Sequence, residues 1–189
     1  MSKFKLEKFD ELVESFSKLP GVGKKSATKY AYHVVFGDAF MGLNLAHNIE
    51  NAIKFLKRCE DCGAISENEI CDICADDNRN RALLCLVETP KDVITIEESN
   101  SYDGLYFVFD DTNKLSALEE NIKKNGVEEI IFAFTPGINS DGIMLYLENE
   151  LANLKLKFTK IAQGVPTGVS LDNIDLLSLT KAIKDRNLV

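Results

Sequence analysis

RCEDCGAISENEICDIC, Arg58 to Cys74, sets four of the chain's five cysteines as C-x2-C, eight residues, C-x2-C. A two-residue gap lets one tight turn present two sulfurs to a single ion, and two such turns complete a tetrahedron. The spacing therefore marks Cys59, Cys62, Cys71 and Cys74 as ligands of a structural zinc ion. With four protein thiolates in place no position is left for water, so the metal scaffolds and does not catalyse. The stretch holds few apolar residues and hardly a core of its own. Metal binding supplies its folding energy, roughly 10 to 16 kcal/mol in zinc-finger peptides at neutral pH. Two disulfides or a redox C-x2-C are the competing readings. Both fit poorly, because the sequence shows neither a secretory leader nor an apolar run long enough to span a membrane. A cytoplasmic protein is expected, and thiols stay reduced there.

Charge divides the chain on either side of this segment. The 189 residues carry a net charge of -8, which taken alone argues against a phosphate-rich partner. Residues 1–58 nevertheless hold ten Lys/Arg against six Asp/Glu, a local +4, and the remaining 131 residues hold the balance of -12. Nucleic acid would have to meet the N-terminal part.

That part reads as helix, short hairpin, helix. Phe9, Leu12, Val13, Phe16 and Leu19 recur at helical spacing up to Pro20. In LPGVGKKSATKY, Leu19 to Tyr30, Pro20, Gly21 and Gly23 force a tight turn. Ser26 or the glycine backbone then opens a second helix with an apolar face of Ala27, Tyr30, Ala31, Val34 and Val35. Free N–H groups from Gly21 to Lys24 are expected to point together at a phosphate oxygen without reading any base, with Lys25 and Lys29 one helical turn apart for the neighbouring phosphates. A plain turn between packed helices is the simpler alternative. Two nucleotide-binding readings fail. A P-loop would need glycine at Lys18 and Ser or Thr at Lys25, and a dinucleotide fingerprint would need glycine at Ser26 after a strand. Met41, Leu45, Ile49, Ala52, Ile53 and Leu56 predict a third helix. His33 and His47 fall within these helices, away from the cysteine pairs, and are expected to be packed or exposed.

After the cysteines the pattern changes to strands alternating with helices. LLCLV (Leu83 to Val87), LYFVF (Leu105 to Phe109), EIIFAF (Glu129 to Phe134) and a segment from Lys157 to Ala162 predict strands. Helices are expected around Lys91 to Glu98, Leu115 to Lys124, Ile143 to Leu154 and Leu176 to Ile183. This alternation is that of a parallel sheet covered by helices. Cys85, inside the first run with nothing basic beside it, reads as an inert buried thiol. Glu88, Asp92 and Asp141 fall at the carboxyl ends of strands, where loops of open parallel sheets converge. Such acids could bind Mg2+ or supply a general acid. The plainer reading is that Asp92 and Asp141 favour helix N-termini.

A helix-hairpin-helix LPGVGKKSA, four cysteines at zinc spacing, VETPKD at a strand end and a terminal GVPTG, in this order in about 190 residues, resemble the bacterial RecR family of recombination mediators over nearly the whole chain. The resemblance implies an α+β multi-domain chain. Its parts would be a helix-hairpin-helix DNA-binding domain (1–56), a four-cysteine zinc finger (57–79), a Toprim domain with a parallel sheet (80–162) and a C-terminal segment (163–189) that is swapped between subunits. It implies a homotetrameric ring clamp around DNA that works with RecO, and in some bacteria RecF, to load RecA onto SSB-coated single strands. By position, Lys25 and Lys29 match the family's DNA-contacting basic residues, and with Gly21, Gly23 and Lys24 they make up the expected DNA-binding hairpin. Glu88, Asp92 and Asp141 match acidic Toprim positions thought to contact RecO. Lys24 replaces the usual hairpin proline, Asn139 with Asp141 stands where Toprim enzymes carry D-x-D, the loop after Phe109 is short, and Val169 replaces the second glycine of a terminal GG. LDNID, Leu171 to Asp175, matches a Walker B-like stretch, but without a P-loop no ATP hydrolysis is inferred. The expectation is a protein that is not an enzyme. A Mg2+-dependent Toprim topoisomerase, primase or nuclease is the alternative, weakened by Asn139 and by tyrosines (Tyr102, Tyr106, Tyr146) that suit packing or surface roles. A zinc-stabilised adaptor that never touches DNA is a third.

Overall fold

Four strands, β3 (Asn80–Val87), β4 (Gly104–Val108), β5 (Glu129–Ala133) and β6 (Lys157–Lys160), form a sheet that is parallel throughout, in the order β4-β3-β5-β6. These belong to a computed structural model that describes residues 6–162, 164–165 and 168–184. The chain divides into two units, one up to residue 56 and one from residue 57 onward.

In the first unit, α1 (Glu7–Ser17), α2 (Lys24–Phe36) and α3 (Ala39–Phe55) follow one another. The predicted apolar positions Phe9, Leu12, Val13 and Phe16 are the half-buried ones of α1, and the helix stops three residues before Pro20. Ala27 and Ala31 of α2 are fully buried. Residues this small let two helix backbones approach closely, and Phe16 meets Tyr30 edge-on with ring centroids 6.0 Å apart. Asp38 caps α3 by accepting from the N–H groups of Phe40 (2.9 Å) and Met41 (3.2 Å). The periodicity of α3 marks its helix correctly but not a covered face: Ile49 and Ile53 stay 51% and 79% exposed.

Helices α2 and α3 cross at Gly42. A β-carbon there would lie 2.6 Å from the carbonyl oxygen of Val34. Gly42→Ala therefore sets two effects against each other. Helix propensity favours alanine by about 1 kcal/mol, whereas driving a methyl into a backbone oxygen costs typically about 1 to 3 kcal/mol. The clash is with backbone, which cannot rotate away, so the substitution is expected to destabilise the chain, read as a lower midpoint of urea unfolding for the α1–α3 helical signal.

The second unit opens with a two-stranded hairpin, β1 (Lys57–Arg58) and β2 (Ile65–Ser66), and a one-turn helix α4 (Asp72–Ala75). Next come α5 (Pro90–Glu98) between β3 and β4, α6 (Leu115–Asn125) between β4 and β5, and α7 (Ile138–Glu150) between β5 and β6. Both faces of the sheet are covered, which is why its strands read as continuous apolar runs. On one face Leu84, Leu86, Phe107, Ile130 and Phe132 pack with Leu118 and Ile122 of α6 and Leu147 of α7. On the other, Cys85, Val87, Tyr106 and Val108 pack with Val93 of α5 and with three of the clustered cysteines. Fully burying each such leucine or valine is worth roughly 1.5 to 3 kcal/mol. Arg79, just before β3, forms a two-pronged ion pair with Glu97 of α5, and the Tyr106 hydroxyl donates to the same carboxylate at 2.6 Å. The pairing with Arg79 holds Glu97 below the usual carboxylate range and locks α5 to the sheet.

Helix α7 begins five residues before the predicted Ile143. Ser140, 4% exposed, turns its hydroxyl back to donate to the carbonyls of Thr135 (2.6 Å) and Gly137 (2.8 Å), which stabilises the bend that starts the helix. Asp141 accordingly sits in the first turn of α7 rather than in a loop ahead of it. The C-terminal helix α8 (Leu176–Lys184) matches the expected span. Pro166 and Thr167 of the GVPTG segment lie outside the described residues.

Candidate metal centre and nucleic-acid interface

The four cysteine sulfurs all lie within 4.8 Å of one another. Cys62 and Cys71 Sγ are 3.6 Å apart, and Cys59 and Cys74 Sγ 4.0 Å. A tetrahedral zinc ion with bonds of about 2.3 Å requires sulfur separations of about 3.8 Å, so the set fits. Each pair is held by a local turn. Cys59 N–H donates to the Ala64 carbonyl at 2.8 Å and Gly63 N–H to the Cys59 carbonyl at 2.9 Å, and Gly63 takes the left-handed φ of +76° that this reversal needs. Backbone N–H groups also point at the sulfurs, Cys71 N–H to Cys59 Sγ at 3.3 Å and Ala64 N–H to Cys62 Sγ at 3.5 Å, which favours thiolates. So closely packed, the thiols differ sharply in acidity. Hydrogen bonding from Cys62 and then Cys74 holds Cys71 down at about 2, while hydrogen bonding with Cys71 raises Cys62 and hydrogen bonding with Cys62 raises Cys74. A bound divalent cation deprotonates all four. The chain binds one structural zinc, held by Cys59, Cys62, Cys71 and Cys74.

This metal module is bolted to the sheet. The Cys62 carbonyl accepts from Val108 N–H at 2.8 Å, extending the backbone pairing beyond edge strand β4. Asn121 Nδ2 donates to the Asp61 carbonyl at 3.0 Å, and Lys124 pairs with the Asp61 carboxylate at 2.6 Å. Cys85 packs against this module but is not one of the four clustered sulfurs; it is 3% exposed, and burial pushes its thiol up to about 12.

At the hairpin, Gly21 has φ +76°, a left-handed turn that other residues adopt only with strain. Val22 N–H is taken by the Leu19 carbonyl at 3.1 Å, so the expected run of free donors from Gly21 to Lys24 is interrupted there. Of the two predicted openings of α2 it is the glycine backbone that serves: Gly23 is the N-cap and no side chain caps it. The first N–H groups of α2 therefore lack an intrahelical partner and face outward with the positive end of the helix dipole. Gly23 has an ordinary extended φ of -76° and open space where a β-carbon would stand. Lys24, Lys25 and Lys29 are exposed, and none pairs with a carboxylate among the described residues.

The three strand-end acids do not gather within reach of a single metal ion. Among the described residues the cysteines are the only group of three or more metal-ligating side chains. Glu88, half-buried after β3, accepts from Thr135 N–H at 2.8 Å and so bridges the carboxyl ends of β3 and β5, the point at which the strand order reverses. Asp92 accepts from Thr89 N–H (2.7 Å) and Thr89 hydroxyl (2.8 Å), capping α5. Asp141 lies exposed beside Lys160, Met144 and Glu148. The Glu88–Thr135 link spans 47 residues and has no local signature in sequence. Tyr102 and Tyr106 hydroxyls are spent on Leu105 carbonyl and Glu97, and burial raises both. No helix among the described residues is long and apolar enough to cross a membrane.

Three family models match in series: RecR, helix-hairpin-helix, over residues 9–53; RecR, four-cysteine zinc finger domain, over 56–76; and Toprim domain over 82–162. Relatives named Recombination protein RecR are similar over almost the full length. Those from Campylobacter jejuni subsp. jejuni strain 81-176 and from a Nitratiruptor species are 54% and 55% identical over 186 residues, which is 97% of this chain and 98% of each relative. That from Helicobacter pylori strain Shi470 is 45% identical, covering 97% of this chain and 96% of its own.

Proposed function

The chain belongs to the RecR family of recombination proteins, and from that premise we propose that it acts as a DNA clamp and adaptor rather than as an enzyme. In this reading Gly21, Gly23, Lys24, Lys25 and Lys29 grip phosphates, and four chains form a ring with these hairpins on its inner lining. RecO, and in some bacteria RecF, joins it to load RecA onto SSB-coated single strands, in the cytoplasm and on the nucleoid. Residues 1–56, 57–79, 80–162 and 163–189 are its working parts, the last exchanged between subunits.

The observation that carries the reading is the hairpin: an uncapped helix N-terminus, a glycine that neither φ nor packing requires at position 23, and exposed lysines with no carboxylate partner among the described residues, all in the basic stretch of an acidic chain. Backbone contacts of this kind fix position without reading sequence. Each is weak, and several copies closed around one strand retain it through effective concentration. Glu88, Asp92 and Asp141, at the carboxyl ends of the strands, serve as a surface for RecO. Calorimetric titration with RecO tests this part. Asp141→Ala and Glu88→Ala are expected to lower RecO affinity about tenfold or more, roughly 1.4 kcal/mol, with DNA affinity unchanged. RecO affinity equal to that of the unaltered chain in both variants rejects those acids as its contact.

A further inference from the structure

A groove of about 500 Å³ runs between the zinc module and α5, and its lining includes none of the metal, DNA or RecO residues named above except the buried Cys71. One wall is a single stripe of α5, Pro90, Val93, Ile94, Glu97 and Glu98, spaced i, i+3, i+4, i+7, i+8. Asp92 falls on the opposite side of that helix. The other wall is Ile65, Asp72 and Ile73 of the zinc module. The floor is apolar, and two aliphatic side chains facing it, Ile65 and Ile94, each stay 47% exposed. The rim is anionic. Glu97 is compensated by Arg79, whereas Asp72 and Glu98 are exposed and have no cationic partner among the described residues.

We propose that this groove docks a short segment of a protein partner carrying an aliphatic stripe flanked by lysine or arginine. Charge complementarity selects that occupant. An aliphatic stripe fills the floor, and only cations satisfy uncompensated carboxylates on either side of it; a phosphate backbone or an acidic segment would be repelled. Because one wall is built by the metal ligands' own turn, the groove exists only while zinc holds that turn, so partner docking is zinc-dependent. The surface is independent of the DNA-clamp reading, since it shares no residue with the hairpin or with Glu88, Asp92 and Asp141.

The test uses the full-length zinc-loaded chain with isoleucine methyl labels and two synthetic helical peptides of identical leucine pattern, one with lysines and one with glutamates at its polar positions, at physiological salt. The lysine peptide is expected to shift the Ile65, Ile73 and Ile94 methyl resonances saturably and to bind at least about tenfold tighter than the glutamate peptide. Asp72→Lys with Glu98→Lys, both exposed and cheap to replace, is expected to invert that preference while leaving zinc content and circular dichroism unchanged. Equal binding of the two peptides, shifts centred on other methyls, or a preference that the double reversal leaves unaltered each overturns the proposal. So does a result in which Ile94→Glu abolishes self-association seen by sedimentation, because a second copy would then fill the groove.

Discussion

Cys71→Ser is expected to reduce zinc from one ion per chain to near none and to unfold the segment from Lys57 to Ala75. Three thiolates and a hydroxyl bind zinc far more weakly than four thiolates, and metal binding contributes roughly 10 to 16 kcal/mol to modules of this kind. That is as large as the whole net stability of an ordinary domain, about 5 to 15 kcal/mol. The module's own side chains cannot compensate, because its buried residues are three of the ligands, Cys59, Cys62 and Cys71, together with Ala64 and Ser66. The damage reaches the sheet: with Cys62 displaced, Val108 N–H loses its acceptor on edge strand β4, and amide exchange at Val108 is expected to rise along with that at Gly63. Cys85→Ser serves as the control. Its sulfur ligates nothing and lies on the apolar face of β3, so full zinc content is expected there. Zinc measured by plasma emission decides the matter, and a Cys71→Ser chain that retains one zinc contradicts the assignment.

Lys25→Ala with Lys29→Ala is expected to weaken DNA binding for every sequence alike, by roughly tenfold or more at low salt, and to flatten its salt dependence. Every phosphate that is no longer neutralised lowers the slope of log K against log salt by about 0.7 for single strands and about 0.9 for duplex, so two of them remove roughly 1.4 to 1.8 per bound chain. Folding should be indifferent, since both side chains are exposed and neither is in an ion pair among the described residues. A fluorescence anisotropy titration at several salt concentrations measures both quantities. An unaltered slope would mean that the lysines do not touch phosphate and that the hairpin is only a turn.

Much of this architecture is legible in the sequence. Cysteine spacing names its ligands because a metal site is built from short turns, and apolar runs name the strands because a parallel sheet is buried on both faces. The hairpin β1–β2 escapes because two-residue strands carry no periodicity, and only the knuckle at Gly63 fixes them. The start of α7 is misplaced because TPGINS looks like a loop until the Ser140 hydroxyl folds back on Thr135 and Gly137. Asp92 is legible as an acid at a helix N-terminus, and its bonds to Thr89 at the start of α5 bear that reading out. Glu88 is recognisable as a strand-end acid, but its partner Thr135 N–H is not, because a bond across 47 residues depends on topology. The salt link of Arg79 to Glu97, 18 residues apart, is invisible for the same reason, although it fixes the helix that borders the groove.

RecA filament assembly on SSB-coated single-stranded DNA, followed with and without this protein in the presence of RecO from the same organism, tests the mediator role most directly. The expected result is faster assembly only when both proteins are present, with the gain abolished in Lys25→Ala/Lys29→Ala. No acceleration, accompanied by Mg2+-dependent nicking, joining or copying of the DNA, would contradict it and make the chain a Toprim enzyme.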